Sequence, residues 1–200
     1  ADVHEDILFQ HQDGTLAVWH MEGTKLISAA FLNPRHPGDA NWRVAGTGDF
    51  NQDGQTDLLF QHEDGTLAVW HMDGVNLSAA AFLQPAHPGD QTWRAVGTGD
   101  FNADTNTEMI FQHQDGTLAV WHLHGLQLVQ AALLIPHEVR DRNWRAVSVA
   151  DLNGDGRLDL VFKHEHDNTL AVWFMDGIKM SSSQLLTPSQ PGGSWKVVGP

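Results

Sequence analysis

Three short acidic segments carry oxygen-bearing side chains at alternate positions. The first segment is DFNQDGQTD at 49–57 and the third is DLNGDGRLD at 151–159, and both have glycine at the sixth position. Calcium takes six to eight oxygen ligands, and a loop that bends at glycine can direct alternate carboxylates and a backbone carbonyl to one centre. The spacing therefore predicts two Ca²⁺ sites. Their predicted ligands are Asp49, Asn51, Asp53, the backbone of Gln55 and Asp57 in the first, and Asp151, Asn153, Asp155, the backbone of Arg157 and Asp159 in the third.

The middle segment, DFNADTNTE at 100–108, departs from this pattern at two positions. Thr105 replaces the glycine and Glu108 replaces the last aspartate, so a weaker site is expected there. Asp2 and Asp6 align with the end of such a loop whose opening half is missing, and no complete fourth site is expected. The alternative for all these loops is that they are acidic turns held by their own Asx hydrogen bonds. The predicted ligands of the middle loop are Asp100, Asn102, Asp104, Asn106 and Glu108.

The loops belong to a sequence repeat with a period of 51 residues. The phrase TLAVW begins at Thr15, Thr66 and Thr117, and it returns at Thr169 after one inserted residue. A fixed period of this length is typical of repeat architectures. Short runs of β-branched and aromatic residues between turn residues predict four strands in each copy. In the second copy these are 42–46, 58–62, 66–72 and 76–83, with turns at Asp64-Gly65 and Asp73-Gly74.

Both faces of the predicted sheet are apolar, which is expected of a sheet packed between two neighbours. Across the first turn we expect Phe60 opposite Val69 on one face and Leu59 near Trp70 on the other. Four-stranded antiparallel sheets repeated around an axis form a β-propeller, and this is favoured over a linear array because radial repetition leaves only short protected edges. The predicted fold is all-β, a β-propeller of four blades closed by pairing of the C-terminal strand, 195–199, with the N-terminal strand, 7–11. The single domain spans 1–200, with a composite first blade of 6–32 plus 195–200 and further blades at 42–83, 93–134 and 144–186.

The loops DFNQDGQTD and DLNGDGRLD, each followed by an apolar strand, resemble the FG-GAP or VCBS repeat family. That family occurs in integrin-α propellers and in many secreted bacterial proteins, and the resemblance covers the whole chain. It implies a propeller whose Ca²⁺ loops join the first and second strands of each blade, usually with seven blades. It also implies an extracellular protein of adhesion, lectin-like or polysaccharide-associated function. The present chain departs from the family in its blade number.

Composition argues against several classes of function. The chain has 25 Asp and Glu against 11 Lys and Arg, and its net charge of −14 would repel a phosphate backbone. Nucleic acid is therefore not an expected partner. A run of eighteen apolar residues is absent, so no membrane insertion is predicted. Serine-elbow, P-loop and dinucleotide-binding patterns are also absent, and we predict that the protein is not an enzyme.

Aromatic and histidine residues beside the loops between copies are the candidate ligand-binding residues. An indole at the start of a strand can stack on a sugar ring or anchor a protein partner, although core packing is its more common role. Histidines that recur once per copy, such as His62 and His164, are interpreted as structural rather than as zinc or proton-relay groups. About three equivalent pockets between blades are expected. The candidates are Trp42, Trp93 and Trp144 with His36, His87 and His137.

The sequence thus predicts a secreted, calcium-binding propeller that acts as a binding or adhesion module. Its expected partner is a glycan, bound in a lectin-like manner, or a surface protein, and a monomer is favoured over a homo-oligomer. Two alternatives stay open. One is a structural, self-associating or accessory repeat domain of a larger secreted protein, and the other is a polysaccharide-active enzyme.

Overall fold

The computed structural model describes residues 6–190, which form fifteen β-strands and no helix. This range accordingly holds no helix capable of spanning a membrane. The chain separates into two compact units, Ala1–Gln91 and Thr92–Pro200. The strands are β1 Ile7–Gln10, β2 Leu16–Glu22, β3 Lys25–Phe31, β4 Trp42–Gly48, β5 Asp57–His62, β6 Leu67–Asp73, β7 Asn76–Phe82, β8 Trp93–Gly99, β9 Glu108–His113, β10 Thr117–His124, β11 Gln127–Glu138, β12 Trp144–Ala150, β13 Asp159–His164, β14 Leu170–Asp176 and β15 Lys179–Leu185.

The first unit contains two antiparallel sheets in which neighbouring strands follow one another along the chain. One sheet has the order β1-β2-β3 and the other β4-β5-β6-β7. Leu16 from the first sheet and Leu32, directly after β3, share a core cluster with Phe60 and Trp70 from the second sheet. The side chain of Gln10 joins the two sheets, because its Nε2 donates to the carbonyl of Trp42 at 2.7 Å and its Oε1 accepts from the amide of Val44 at 2.9 Å.

The second unit repeats this arrangement in one eight-stranded sheet with the order β12-β13-β14-β15-β11-β10-β9-β8. Two antiparallel meanders are linked by a single parallel pairing of Ile135 with Lys179. Gln112 has the same role as Gln10, with its Nε2 donating to the carbonyl of Trp144 and its Oε1 accepting from the amide of Ala146. The all-β prediction is therefore confirmed for the described residues.

The hairpin turns form where the sequence predicts them. Gly65 has φ 95°, a conformation that glycine adopts without strain. The carboxylate of Asp64 accepts from the amide of Thr66 at 2.8 Å, which fixes the turn. In the fourth copy, whose hairpin is one residue longer, Asn168 takes the positive φ of 60°. Asparagine tolerates this left-handed region better than most residues, so the insertion is accommodated within the turn.

The predicted strand register is wrong by one residue. Phe60 pairs with Ala68 and Leu59 pairs with Val69. The reason lies in the turn, where the amide of His62 donates to the carbonyl of Thr66 at 2.8 Å and sets these two residues opposite each other. As a result Phe60 and Trp70 lie on the same face, with ring centroids 5.0 Å apart.

Some strands are longer than predicted. β4 continues to Gly48 and β8 to Gly99, and β11 extends to Glu138, four residues beyond the predicted blade end at 134. The predicted closing strand, 195–199, lies outside the described residues. The four-bladed ring, its closure and the single domain of 1–200 therefore stay predictions.

Candidate metal loops and aromatic groove

The acidic loops are exposed turns held together by their own side chains. Asp49 Oδ2 accepts from the amide of Gly54 at 2.8 Å, and Asp53 Oδ1 accepts from the amide of Gln55 at 2.8 Å. In the third loop Asp151 and Asp155 make the same bonds, to the amides of Gly156 at 2.8 Å and of Arg157 at 2.9 Å. These are the Asx interactions that the sequence analysis named as an alternative to metal ligation. The amide hydrogen bonds lower the pKa of Asp151.

The carboxylate that ends each loop is fully buried. Asp57 accepts from the amide of Phe50 at 3.1 Å and of Met72 at 2.9 Å, so it ties the loop to strand β6. Asp159 makes the same two bonds, to the amides of Leu152 at 3.1 Å and Met175 at 3.0 Å. This role as an acceptor for backbone amides was not anticipated from the sequence.

The middle loop carries Thr105 and Glu108 in place of glycine and aspartate but has the same backbone shape as the other two loops. Glu108 is also fully buried and accepts from the amide of Phe101 at 2.8 Å, and burial raises its pKa. Thr105 has φ 71°, close to the 83° of Gly54 and the 81° of Gly156 at the equivalent position. A β-branched residue in this region is strained, so the middle loop keeps the shape of its neighbours at a conformational cost.

A small apolar groove lies on one face of the β4-β5-β6-β7 sheet. Its volume is about 210 Å³. Trp42 is partly exposed there, and its ring lies 4.9 Å from the imidazole of His62. Gly38 runs alongside the indole, and a methyl group at its Cα would come within 3.7 Å of Trp42. The lining residues are Pro37, Trp42, Phe60, Ala68, Trp70, Ala80, Ala81 and Phe82.

Charged side chains pair beside this groove. His62 Nδ1 lies 2.9 Å from Asp64 Oδ1, and its Nε2 lies 3.6 Å from Asp39. The hydrogen bond to Asp64 raises the pKa of His62, and the bonds that Asp64 accepts from Thr66 lower the pKa of Asp64. His164 is placed in the same way between Asp141 and Asp167, and its hydrogen bonds, first to Asp141 and then to Asp167, raise its pKa.

Comparison with known proteins supplies the family. The sequence profile of the FG-GAP-like repeat matches residues 49–111 and 100–162, which together cover more than half of the chain. This chain belongs to the FG-GAP-like repeat family. The search of curated proteins found no match. A solved structure titled "Structure of Dos1 propeller" matches with a TM-score of 0.52 and 14% identity, covering 90% of this chain and 44% of that one.

At 14% identity the likeness concerns the fold alone, and it is a likeness to a propeller. This FG-GAP-like repeat chain spans less than half the length of that propeller.

The FG-GAP-like loops have the donor atoms of a calcium site but not the grouping of side chains that such a site needs. Carboxylate, amide and backbone oxygens are the donors that calcium prefers, and every loop presents them. Within residues 6–190, however, no three Asp, Glu or His side chains are grouped so that they could hold one metal ion. The ninth-position carboxylates of the first and third loops already accept two backbone amides each. Calcium binding by these residues stays a prediction.

The predicted ligand-binding residues do not all lie together. Trp42 lines the groove, but the neighbouring lining residue is Pro37 rather than His36.

His87 is exposed, and its Nε2 lies 2.9 Å from the hydroxyl of Thr66, so it holds the loop against the preceding hairpin. Gln190 makes the matching contact with Thr169 at 3.2 Å in the last copy. Trp93 and Trp144 are partly exposed, and their rings contact those of His113 and His164 at a tilt, with centroids 4.9 and 5.0 Å apart. His137 is exposed.

The groove walls and the amide-binding role of Asp57 were not predicted from the sequence. The groove was missed because the register error placed Phe60 and Trp70 on opposite faces. The sequence does contain a signal for the amide-binding role of Asp57. A carboxylate recurs directly before the apolar strand in every copy, at Asp6, Asp57, Glu108 and Asp159.

Proposed function

We propose that this FG-GAP-like repeat protein is a binding module that takes a sugar ring of a glycan into the Trp42 groove. The observation that carries the proposal is the groove itself, an apolar depression whose floor and walls include the aromatic side chains of Trp42, Phe60, Trp70 and Phe82. Small-ligand sites are typically concave and apolar, with a few polar groups that orient the ligand.

The groove is suited to a ligand with one apolar and one polar side. A pyranose ring presents a face of C–H bonds, which can pack against the partly exposed indole of Trp42. Its hydroxyl groups would then point outward, toward the paired His62 and Asp39. At about 210 Å³ the groove is below the volume of sites for drug-sized ligands, so it would hold one sugar unit rather than a long chain.

We also propose that the acidic loops bind calcium. The oxygen-rich loops at 49–57, 100–108 and 151–159 would bind Ca²⁺ and stiffen the turns that connect neighbouring strands. Their support is the donor chemistry and the family resemblance. We further propose that the module works outside the cell, where glycans and surface proteins are its partners, and that it is not an enzyme.

A glycan array probed with the protein in calcium-containing buffer tests the ligand class. The decisive variant is Phe82→Ala, because Phe82 forms one wall and is 58% exposed, so its loss should not disturb folding. Phe31→Ala is the matched control, since Phe31 is the equivalent residue in the first copy, is 51% exposed and does not line the groove. We expect Phe82→Ala to weaken binding at least tenfold, which corresponds to about 1.4 kcal/mol. Lack of binding to every glycan by the folded wild type, or equal loss in both variants, would contradict the proposal.

A further inference from the structure

One wall of the Trp42 groove belongs to the loop between β3 and β4. Pro37 lines the groove, and a Cβ added to Gly38 would lie 3.7 Å from the indole of Trp42. All the other lining residues lie on strands β4 to β7, whose positions are fixed by hydrogen bonds between strands. The width of the groove therefore depends on the position of this loop.

Backbone hydrogen bonds hold this loop at both ends. The amide of Leu16 donates to the carbonyl of Arg35 at 2.8 Å, and the amide of Glu63 donates to the carbonyl of Asn41 at 3.1 Å. The stretch between these two anchors, 36–40, includes the groove wall and lies outside the strands. Its position therefore depends on the contacts that its own side chains make.

His62 connects this stretch to the β5-β6 hairpin through both of its ring nitrogens. Its Nδ1 lies 2.9 Å from Oδ1 of Asp64 in the hairpin, and its Nε2 lies 3.6 Å from Oδ1 of Asp39 in the loop. The fourth copy has the same arrangement around His164, where the two carboxylates lie 3.1 and 2.9 Å from the ring nitrogens. An imidazole between a loop carboxylate and a hairpin carboxylate is thus a repeated feature of the chain.

Only the protonated imidazole of His62 can donate to both carboxylates. A neutral imidazole carries one N–H group, whereas the imidazolium carries two. When the proton is lost, the nearer carboxylate of Asp64 keeps the remaining N–H group, and Asp39 faces a nitrogen lone pair. The charged groups that face His62 are Asp64 and Glu63 from the hairpin and Asp39 from the loop. The hydrogen bond to Asp64, and then the charges of these three groups, raise the pKa of His62 against the effect of burial.

We propose that Asp39 is a positioning residue of the groove, and that its bridge to His62 makes sugar binding stronger at low pH than at high pH. This inference rests on the proposed function. With His62 protonated, the bridge holds the loop at the hairpin and keeps Pro37 in place against a bound ring. Once the imidazole is neutral, the stretch 36–40 gains freedom that binding must remove, so affinity falls. Exposed ion pairs of this kind correspond to a factor of about two to five.

Titration with neutral methyl pyranosides of the gluco, galacto, manno and xylo series, at about pH 6 and about pH 8.5, tests the pH dependence. These sugars carry no titrating group, so any pH dependence arises from the protein. The wild type should bind about two- to fivefold more weakly at the higher pH. Asp39→Asn should bind equally at both, because a direct contact between position 39 and the sugar would be changed equally at the two pH values. Asp73→Asn is the matched control, since it removes the same charge from the exposed β6-β7 turn, and it should keep the wild-type pH dependence. An unaltered pH dependence in Asp39→Asn would overturn the proposal.

Relaxation of the ¹³C-labelled methyl group of Ala40, the residue after Asp39, tests the positioning without any sugar. Its order parameter reports motion of the loop on the picosecond to nanosecond timescale. In the wild type Ala40 should be less ordered at the higher pH, and in Asp39→Asn it should be equally mobile at both. The same order parameter at both pH values in the wild type would overturn the proposal, whatever the protein binds. A pH-dependent Ala40 with no binding of any pyranoside would support the bridge and would contradict the proposed function instead.

Discussion

His71 Nδ1 lies 2.8 Å from Oδ2 of Asp57, a carboxylate with no exposure to solvent. The same carboxylate accepts the amides of Phe50 and Met72, so one side chain joins the acidic loop, strand β5 and strand β6. The fourth copy keeps the carboxylate as Asp159 and its two amide bonds but has Phe174 in place of the histidine. The amide bonds are thus the common element, and the histidine contact is an addition to them.

Replacing Asp57 by alanine should destabilise the protein strongly. It would leave two buried amides without an acceptor, at about 1–3 kcal/mol for each, and we expect a total loss of about 3 kcal/mol. His71→Phe should cost less, because Phe174 occupies that position in the fourth copy. Urea unfolding of both variants in chelator measures the difference. Equal losses for the two variants would show that the amide bonds do not dominate.

Thr105→Gly should stabilise the protein. At φ 71° threonine is in a left-handed conformation that costs about 1–2 kcal/mol. Glycine avoids this strain, but its greater freedom in the unfolded chain reduces the gain by about 0.5–1 kcal/mol. The net gain expected is about 1 kcal/mol or less. Gly54→Thr is the reverse control, since a Cβ there meets no atom within 4 Å and only backbone strain changes. Thermal unfolding should move in opposite directions for the two variants.

If the acidic loops bind calcium, chelation should lower the melting temperature. A ligand that binds only the folded state adds about 2.7 kcal/mol per site at a hundredfold excess over Kd. In calcium, Asp53→Ala and Asp155→Ala should cost more than Asp104→Ala, because the middle loop carries Thr105 in place of glycine. In chelator the three variants should become similar. Identical wild-type melting curves with calcium and with chelator would contradict calcium binding.

Much of the fold could be predicted from the sequence because the repeat supplies the same evidence several times. Asp64-Gly65 and its equivalents mark turns whose chemistry is local, and the Trp-led strands begin where predicted, at Trp42, Trp93 and Trp144. The register could not be predicted, since it depends on a single backbone bond from His62 to Thr66. A shift of one residue moves every side chain of a strand to the opposite face.

The candidate site was only partly predictable for the same reason. Trp42 stood out as an indole at the start of a strand, and the structure places it in a groove. Its partners Phe60, Trp70 and Phe82 come from three different strands, so only the correct register brings them together. The acidic loops show a different limit. Alternating carboxylates suit both a cation and backbone amides, and sequence alone does not separate the two.

The pair of His62 and Asp64 should make stability depend on pH in a defined direction. The hydrogen bond to Asp64, with smaller contributions from Asp39 and Glu63, raises the pKa of His62 above its ordinary value of 6.5, against the opposing effect of burial. A group whose pKa is raised in the folded state stabilises the protein. This contribution is fully present at pH values below the unfolded pKa and is lost as pH rises through the folded pKa.

Asp64→Asn removes the charge partner of His62, while the side-chain oxygen at position 64 can still accept the amide of Thr66. The variant should therefore fall further below the wild type at about pH 6 than at about pH 8.5 in urea unfolding. NMR titration should show the His62 pKa moving back toward 6.5 in Asp64→Asn. A stability difference that is the same at both pH values, with an unchanged His62 titration, would show that the two side chains are not coupled.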